Sequence, residues 1–383
     1  MPESFLEIAR SLLVNTGFFN LSIGNVVMIV AGCTMCYLAI VKHYEPYELL
    51  PIGLGAILIN LPLHQVGVFT DQIQGSGLLG IVFQYGIYFY NILPPLIFLG
   101  LGALTDFGPL IANPRMLLLG AAAQVGIFVA FIGALWLGFD LKEAAAISII
   151  GGADGPTTIY LNAIMAPRLL GITAVTAYSY MALVALIQPP IIRLLTTKQE
   201  RMITMTQLRP VSTRVKILFP IGMMIVSILL IPMSAPLISM FMIGNIFRES
   251  GVVERLNRTA QNELLNIVTI FLMLAIGITL KAEAILDWTT LKILLLGLGA
   301  FSAGTAGGIL FAKLMNLVSR DKINPIIGAA GVSAVPDAAR VCQMVGAKED
   351  PQNFLIMHAM APNIAGVIGS AVVAGVLLST LLG

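Results

Sequence analysis

Apolar residues run along this chain in long blocks, with the charged residues gathered between them. The blocks are 21–41, 49–63, 78–104, 116–139, 143–165, 173–195, 215–231, 233–247, 264–280, 292–315, 323–345 and 354–382. A helix that crosses the hydrocarbon of a bilayer needs about 20 mostly apolar residues. Several blocks are shorter than that or are interrupted by Gly and Pro. The pattern predicts an all-α polytopic membrane protein with about ten to twelve spans. The charge-poor stretch 72–105 contains Asn91 and Pro94-Pro95 and is expected to hold an interfacial piece before its span. Residues 1–20 mix Glu3, Glu7 and Arg10 with Phe5, Leu6, Ile8, Leu12 and Leu13. That mixture reads as a short interfacial helix rather than a cleavable signal peptide.

Composition agrees: 58% of residues are hydrophobic, 10% are charged and the mean hydropathy is +0.94. A soluble domain carries about a quarter charged residues. The formal net charge of +2 matters less than where the basic residues lie. Between Thr196 and Lys216 stand Lys198, Arg201, Arg209, Arg214 and Lys216 against one acid, Glu200. The positive-inside rule makes loop 197–216 cytoplasmic. It divides the chain into a first transmembrane part, 21–196, and a second, 217–383. Three cysteines cannot form a disulfide framework, and the C-x-x-C pair Cys33 and Cys36 lies in an uncharged run that argues for packing rather than redox chemistry. His43, His64 and His358 are scattered and form no metal constellation. No nucleic-acid partner is expected.

The two halves carry matching residues. Leu117-Leu118-Leu119-Gly120 recurs as Leu294-Leu295-Leu296-Gly297, and Met181-Ala182 as Met360-Ala361. Asp154-Gly155-Pro156 recurs in altered form as Ser333-Ala334-Val335-Pro336, and Pro51 and Asn60 match Pro236 and Asn245. Each match is weak alone, but the shared order and nearly constant offset predict a duplication. Duplicated membrane halves with paired helix breaks are a transporter pattern, with the binding site at the breaks. Whether the repeats are inverted depends on an odd or even number of crossings per half, which the blocks leave open. Gly297, Gly299, Gly304, Gly307 and Gly308 on one segment read as close helix packing.

Asp154 is the only carboxylate between Glu143 and Glu200, and it stands in Gly151-Gly152-Ala153-Asp154-Gly155-Pro156-Thr157-Thr158. A charge at membrane depth costs roughly 3 kcal/mol on insertion scales. The flanking glycines and Pro156 break a helix where the carboxylate projects. Such a break builds an ion site from a side chain and freed backbone carbonyls. The plainer alternative is a kinked helix with a protonated or hydrogen-bonded Asp. The matching segment of the second half, from Asn324-Pro325 to Arg340, holds Ser333 among further helix breakers. Asn324 before Pro325 also fits an N-cap. A hard cation such as Na⁺ takes oxygen ligands, and Asp154, Asn324, Ser333 and Asn363 offer carboxylate, hydroxyl and amide oxygens. Tyr178 fits a membrane anchor, whereas Tyr180, further into its span, can reach an ion, a proton or substrate. Asp337 and Arg340 can pair with each other, or Arg340 can receive an anionic ligand.

At these two motifs the chain resembles the β subunit of the sodium-translocating biotin-dependent decarboxylases, which act on oxaloacetate, glutaconyl-CoA or methylmalonyl-CoA. Gly151-Gly152-Ala153-Asp154-Gly155-Pro156-Thr157, Asn324-Pro325-Ile326-Ile327-Gly328, Gly331-Val332-Ser333-Ala334-Val335-Pro336 and Arg340 carry the match. Similarity runs over nearly the whole chain, apart from the first 20 residues and the region 64–77. The resemblance implies inverted repeats, an elevator-like core moving against a scaffold, and a homo-oligomer in the cell inner membrane. It implies that carboxybiotin on a separate biotin carrier protein is decarboxylated as Na⁺ leaves the cytoplasm and a proton is consumed. A carboxyltransferase α subunit and a small membrane γ or δ subunit are the other implied partners.

The resemblance makes Asp154 the central cation- and proton-binding carboxylate. It associates Tyr180, Asn324, Ser333 and Asn363 with the ion and proton path, and Arg340 with catalysis and carboxybiotin near the site. No Met-Lys-Met biotinylation motif and no soluble carboxyltransferase region occur in the chain, so covalent biotin is expected on another subunit. A carboxyl group withdrawn from water can hold either H⁺ or, with oxygen neighbours, Na⁺. Exchange of the two links decarboxylation to ion export. Two other classes fit the generic architecture. One is a stand-alone Na⁺-coupled carrier of organic anions or Na⁺/H⁺ antiporter; the other, a non-transporting scaffold, does not account for an intramembrane Asp at a doubled break.

Overall fold

The computed structural model describes residues 17–62, 78–285 and 287–382. Of the expected interfacial helix, only the 3₁₀ turn Gly17–Asn20 is described; its remainder and His64 lie outside the described residues. All regular structure among the described residues is helical. In chain order the main helices are α1 (Ile23–Lys42), α2 (Pro46–Asn60), α3 (Leu93–Leu104), α4 (Met116–Ala123), α5 (Val125–Trp136), α6 (Leu141–Ser148), α7 (Gly155–Met165) and α8 (Leu170–Ala182). There follow α9 (Val184–Leu195), α10 (Thr213–Leu230), α11 (Ala235–Ser250), α12 (Leu265–Gly277), α13 (Trp288–Val318), α14 (Asp337–Glu349) and α15 (Ile356–Leu382).

By length and apolarity six stretches among the described residues can cross a membrane, or eight if each of two bent pairs counts as one span. That is fewer than the ten to twelve expected. Part of the difference has a clear physical cause: the blocks 143–165 and 323–345 do not run straight through but fold back on themselves. In the first, α6 starts at a capping box, with Asp140 Oδ1 accepting the Glu143 N–H at 2.8 Å. A 3₁₀ turn over Ile149–Gly152 follows, Ala153 takes the left-handed conformation (φ 54°), and α7 returns beside α6. Asn162 Nδ2 on α7 donates to Ala146 O on α6 at 2.9 Å, and Arg168 Nε donates to Glu143 Oε1 at 2.6 Å across the two ends.

The second block repeats the plan. A 3₁₀ helix runs Pro325–Gly331, the chain turns over 332–336, and α14 comes back with Cys342 Sγ against Ile326 O at 3.1 Å. Both ends meet Arg201 of the central loop: Asn324 Nδ2 donates to Arg201 O at 2.8 Å, and Arg201 Nε to Glu349 Oε1 at 2.9 Å. Each block is thus a helical hairpin. An arm such as α7, with 11 residues, spans about 16 Å, roughly half of a 30 Å hydrocarbon layer.

The chain divides into two compact units, and neither coincides with a half of the sequence. One comprises the residues up to Asn91 with Thr269–Leu291. In it Asn60, buried at the end of α2, donates from Nδ2 to Leu280 O at 2.7 Å and accepts the Ala282 N–H at 3.0 Å. The other comprises Ile92–Val268 with Lys292–Gly383 and holds both hairpins. There Asn245, the residue matched to Asn60 in the sequence, donates to Thr105 O at 2.6 Å beyond the end of α3. Each asparagine seals carbonyls where a helix stops.

Close approach inside this unit depends on missing side chains. A Cβ on Gly151 would lie 2.3 Å from Gly126 O, and one on Gly328 would lie 2.2 Å from Gly308 O, so each hairpin is pressed against a span at a glycine pair. Gly297, Gly304 and Gly307 also abut neighbouring helices as expected, whereas Gly299 faces open space.

Candidate functional site

The tips of the two hairpins touch. Ser333 N–H donates to Gly152 O at 2.8 Å, which joins the second tip to the residue two before Asp154. Asp154 is the N-cap of α7 and is 4% exposed. Its Oδ1 accepts the Thr157 N–H at 3.0 Å, a capping bond at the positive end of the helix. Its Oδ2 accepts the Ser370 hydroxyl of α15 at 2.5 Å. The Ser333 hydroxyl in turn donates to Ser370 Oγ at 3.3 Å. One serine therefore links the carboxylate to the opposite tip. The Thr157 hydroxyl lies beside the carboxylate but closes no hydrogen bond of good geometry.

Asn363 lies on the same α15 face as Ser370, seven residues and two turns earlier. Its Nδ2 is within reach of three carbonyls freed by the second break: Val332 at 2.7 Å, Ala330 at 3.0 Å and Ala334 at 3.2 Å. With the amide hydrogens so used, its buried Oδ1 has no hydrogen-bond partner. The gathered donors are one carboxylate and several neutral oxygens. No basic side chain pairs with Asp154 among the described residues, and no group of three His, Cys, Asp or Glu side chains comes together there. A buried carboxylate without a basic partner is neutralised by a proton or a bound cation. One negative charge ringed by neutral oxygens suits a monovalent hard cation.

Asp154, Ser333 and Asn363 are thus brought together, and three other expected residues lie elsewhere in the same unit. Tyr180 Oη donates to Leu294 O on α13. Asn324 caps the 3₁₀ helix through its Oδ1 (Ile326 N–H, 3.1 Å), while its Nδ2 ties down Arg201 O and Ile203 O. Its N-cap alternative is realised. Arg340 is exposed in the first turn of α14 and pairs with Asp337 at 3.0 Å, the i,i+3 alternative. Tyr178, read as a membrane anchor, is instead 2% exposed, with its ring where a Cβ on Gly155 would stand. Ser370 was not foreseen. Its seven-residue spacing from Asn363 in an uncharged span was the available signal.

Paired helical hairpins and multiple apolar spans define a multi-pass helical membrane protein, and the hairpin tips hold a buried carboxylate with no basic partner among the described residues. The family described as "Na+-transporting oxaloacetate decarboxylase beta subunit" matches residues 24–381. Over essentially the full length of both chains, the protein is 56% identical to the glutaconyl-CoA decarboxylase subunit beta of Acidaminococcus fermentans. It is 55% identical to the methylmalonyl-CoA decarboxylase subunit beta of Veillonella parvula, with 99% of each chain covered. It is 50% identical to the oxaloacetate decarboxylase beta chain of Klebsiella pneumoniae, covering 98% of this chain and all of the relative. The chain belongs to the family of β subunits of Na⁺-transporting decarboxylases.

Proposed function

We propose that this membrane subunit decarboxylates carboxybiotin carried on a partner protein and exports Na⁺ from the cytoplasm, consuming a proton. The Asp154–Ser370–Ser333 link between the hairpin tips is the observation that carries this reading. Asp154 alternates between H⁺ and Na⁺. The hydroxyls of Ser333, Ser370 and Thr157 and the unpaired Oδ1 of Asn363 supply neutral oxygens to the cargo. Na⁺ arriving at Asp154 releases the proton, and the N-carboxylate of carboxybiotin takes up a proton on nitrogen as its C–N bond breaks and CO₂ leaves. Arg340, exposed on the second hairpin, receives the carboxylate of carboxybiotin by exchange with Asp337. Asn324 acts by holding the mouth of that hairpin to the central loop. Tyr180 steadies α8 against α13 beside the site.

With loop 197–216 cytoplasmic by charge, the second hairpin enters from the cytoplasm and the first from the opposite side, as expected of inverted repeats. The twin hairpins and the equivalent roles of Asn60 and Asn245 support two related halves, 21–196 and 217–383. Each compact unit draws on both halves, and the site lies wholly within one, which supports a core-and-scaffold division. A biotin carrier, a carboxyltransferase α subunit, a small membrane subunit and further copies of this chain complete the assembly.

The test is Na⁺-dependent decarboxylation of carrier-bound carboxybiotin by the purified complex, with ²²Na⁺ uptake by inverted vesicles. Asp154→Asn is expected to abolish both. Coupled ²²Na⁺ uptake surviving in that variant would sink the proposal.

A further inference from the structure

Gln124 is a polar residue in an expensive place. It stands between α4 and α5, inside the continuous apolar span Met116–Trp136, and is 4% exposed. Its Nε2 donates to Gly120 O one turn back at 3.0 Å, and to Gly366 O on α15 at 3.3 Å. Those two carbonyls fix the orientation of the carboxamide, because the reversed amide would set its oxygen against both of them. The Oε1 is left buried without a hydrogen-bond partner. A lost partner for such an atom costs about 1–3 kcal/mol.

The location of that oxygen makes the cost informative. A Cβ built on Gly152 would stand 3.5 Å from Gln124 Oε1. Gly152 belongs to the first hairpin tip, accepts the Ser333 N–H, and precedes Asp154 by two residues. On its other side the same carboxamide covers Gly369, where a Cβ would lie 3.0 Å from Nε2. The next residue is Ser370, the donor to Asp154. Gln124 thus fills the space between the first tip and the stretch of α15 that completes the site.

We propose that Gln124 is a further cargo-binding residue, resting on the reading of Asp154 as the cation site. Its Oε1 gives a neutral oxygen to Na⁺ at the tips, and its Nε2 holds α15 so that Ser370 meets the carboxylate. A glutamine that served packing alone is replaceable by leucine without effect on the ion.

The experiment uses the assembled complex with Na⁺ as the only added cargo. It measures the half-saturating Na⁺ concentration for carboxybiotin decarboxylation and the rise in Tm that Na⁺ produces. Gln124→Leu, similar in volume but without oxygen, is expected to raise half-saturating Na⁺ about tenfold and to shrink the Na⁺-dependent rise in Tm. Unchanged values in a folded Gln124→Leu protein overturn the proposal. If that variant fails to fold, Gln124→Glu decides. A second carboxylate facing the ion makes Na⁺ affinity climb with pH more steeply than in the parent, and an unaltered pH profile overturns the proposal. Asp154→Asn is run alongside. Undiminished Na⁺ dependence there removes the underlying site, whereas insensitivity of the Gln124 variants alone removes only Gln124.

Discussion

Among the described residues no basic side chain pairs with Asp154, and the groups gathered around it are neutral donors. Its two oxygens are held from different directions, one by the Thr157 N–H of its own helix and one by the Ser370 hydroxyl of α15. Ala153, just before it, is in the left-handed conformation at φ 54°, which costs a non-glycine residue about 1–2 kcal/mol. That strain turns the chain sharply enough for Asp154 to cap α7 while facing the opposite tip. A hydrogen bond to a charged group is worth about 1.5–3 kcal/mol. Ser370→Ala is therefore expected to raise the Na⁺ concentration needed for half-maximal decarboxylation by roughly 10- to 100-fold. Titration of the purified complex measures it, and a half-saturation equal to the parent's would exclude Ser370 as a ligand or positioning group.

At the scale of elements, the interrupted blocks become hairpins because each break frees carbonyls that need partners away from water. Asn363 serves the second break, and the glycine pairs 126–151 and 308–328 let both hairpins sit tightly on straight spans. Helix ends outside the apolar layer are secured by charge instead. Asp106 Oδ1 accepts the Gly108 N–H at 2.8 Å and the Lys216 ammonium at 3.1 Å, joining the end of α3 to the start of α10. Burial pushes the Asp106 carboxyl up, but these hydrogen bonds and the Lys216 and Arg248 charges outweigh it and hold the group below its ordinary 3.8. A carboxyl held down on folding contributes stability above its unfolded value, and loses it as pH falls through the folded value. The Tm advantage of the parent over Asp106→Asn is thus expected in full at pH 7 and should decline progressively as the pH falls below about 3.8. Thermal unfolding of both proteins in detergent across that range checks it; a constant difference would show that the charge of Asp106 is immaterial.

For the whole molecule, the sidedness of the hairpins decides whether one site can face two compartments. Lys142 beside the first hairpin mouth and Lys198 beside the second are both exposed. In a background with Cys33 and Cys36 replaced by Ser, Lys198→Cys is expected to react with a membrane-impermeant maleimide in inverted vesicles. Lys142→Cys should react only in right-side-out vesicles. Labelling of both from one side would rule out inverted hairpins. The same division explains how the compact units come to differ from the halves of the sequence. Asn60 and Asn245 each bind a helix end contributed by the other half, so packing interleaves the halves rather than setting them side by side.

The amino-acid order by itself determined the membrane setting, the two helix breaks and the placing of Asp154 at one of them, because each depends on local composition: long apolar blocks, glycine and proline at a break, one charge where charge is costly. It also marked Ser333 and Asn363 as polar residues in apolar surroundings. Whether a break bends a span or folds it back was decided only by contacts distant in sequence, such as Arg168 with Glu143 and Arg201 with both Asn324 and Glu349. The same holds for the partners of each polar group. Asn324 caps its helix, Arg340 pairs with Asp337, Tyr178 packs its ring against Gly155, and Ser370 meets Asp154. Such choices turn on which helix faces meet across the fold, and spacing along one helix carries no record of the helix opposite.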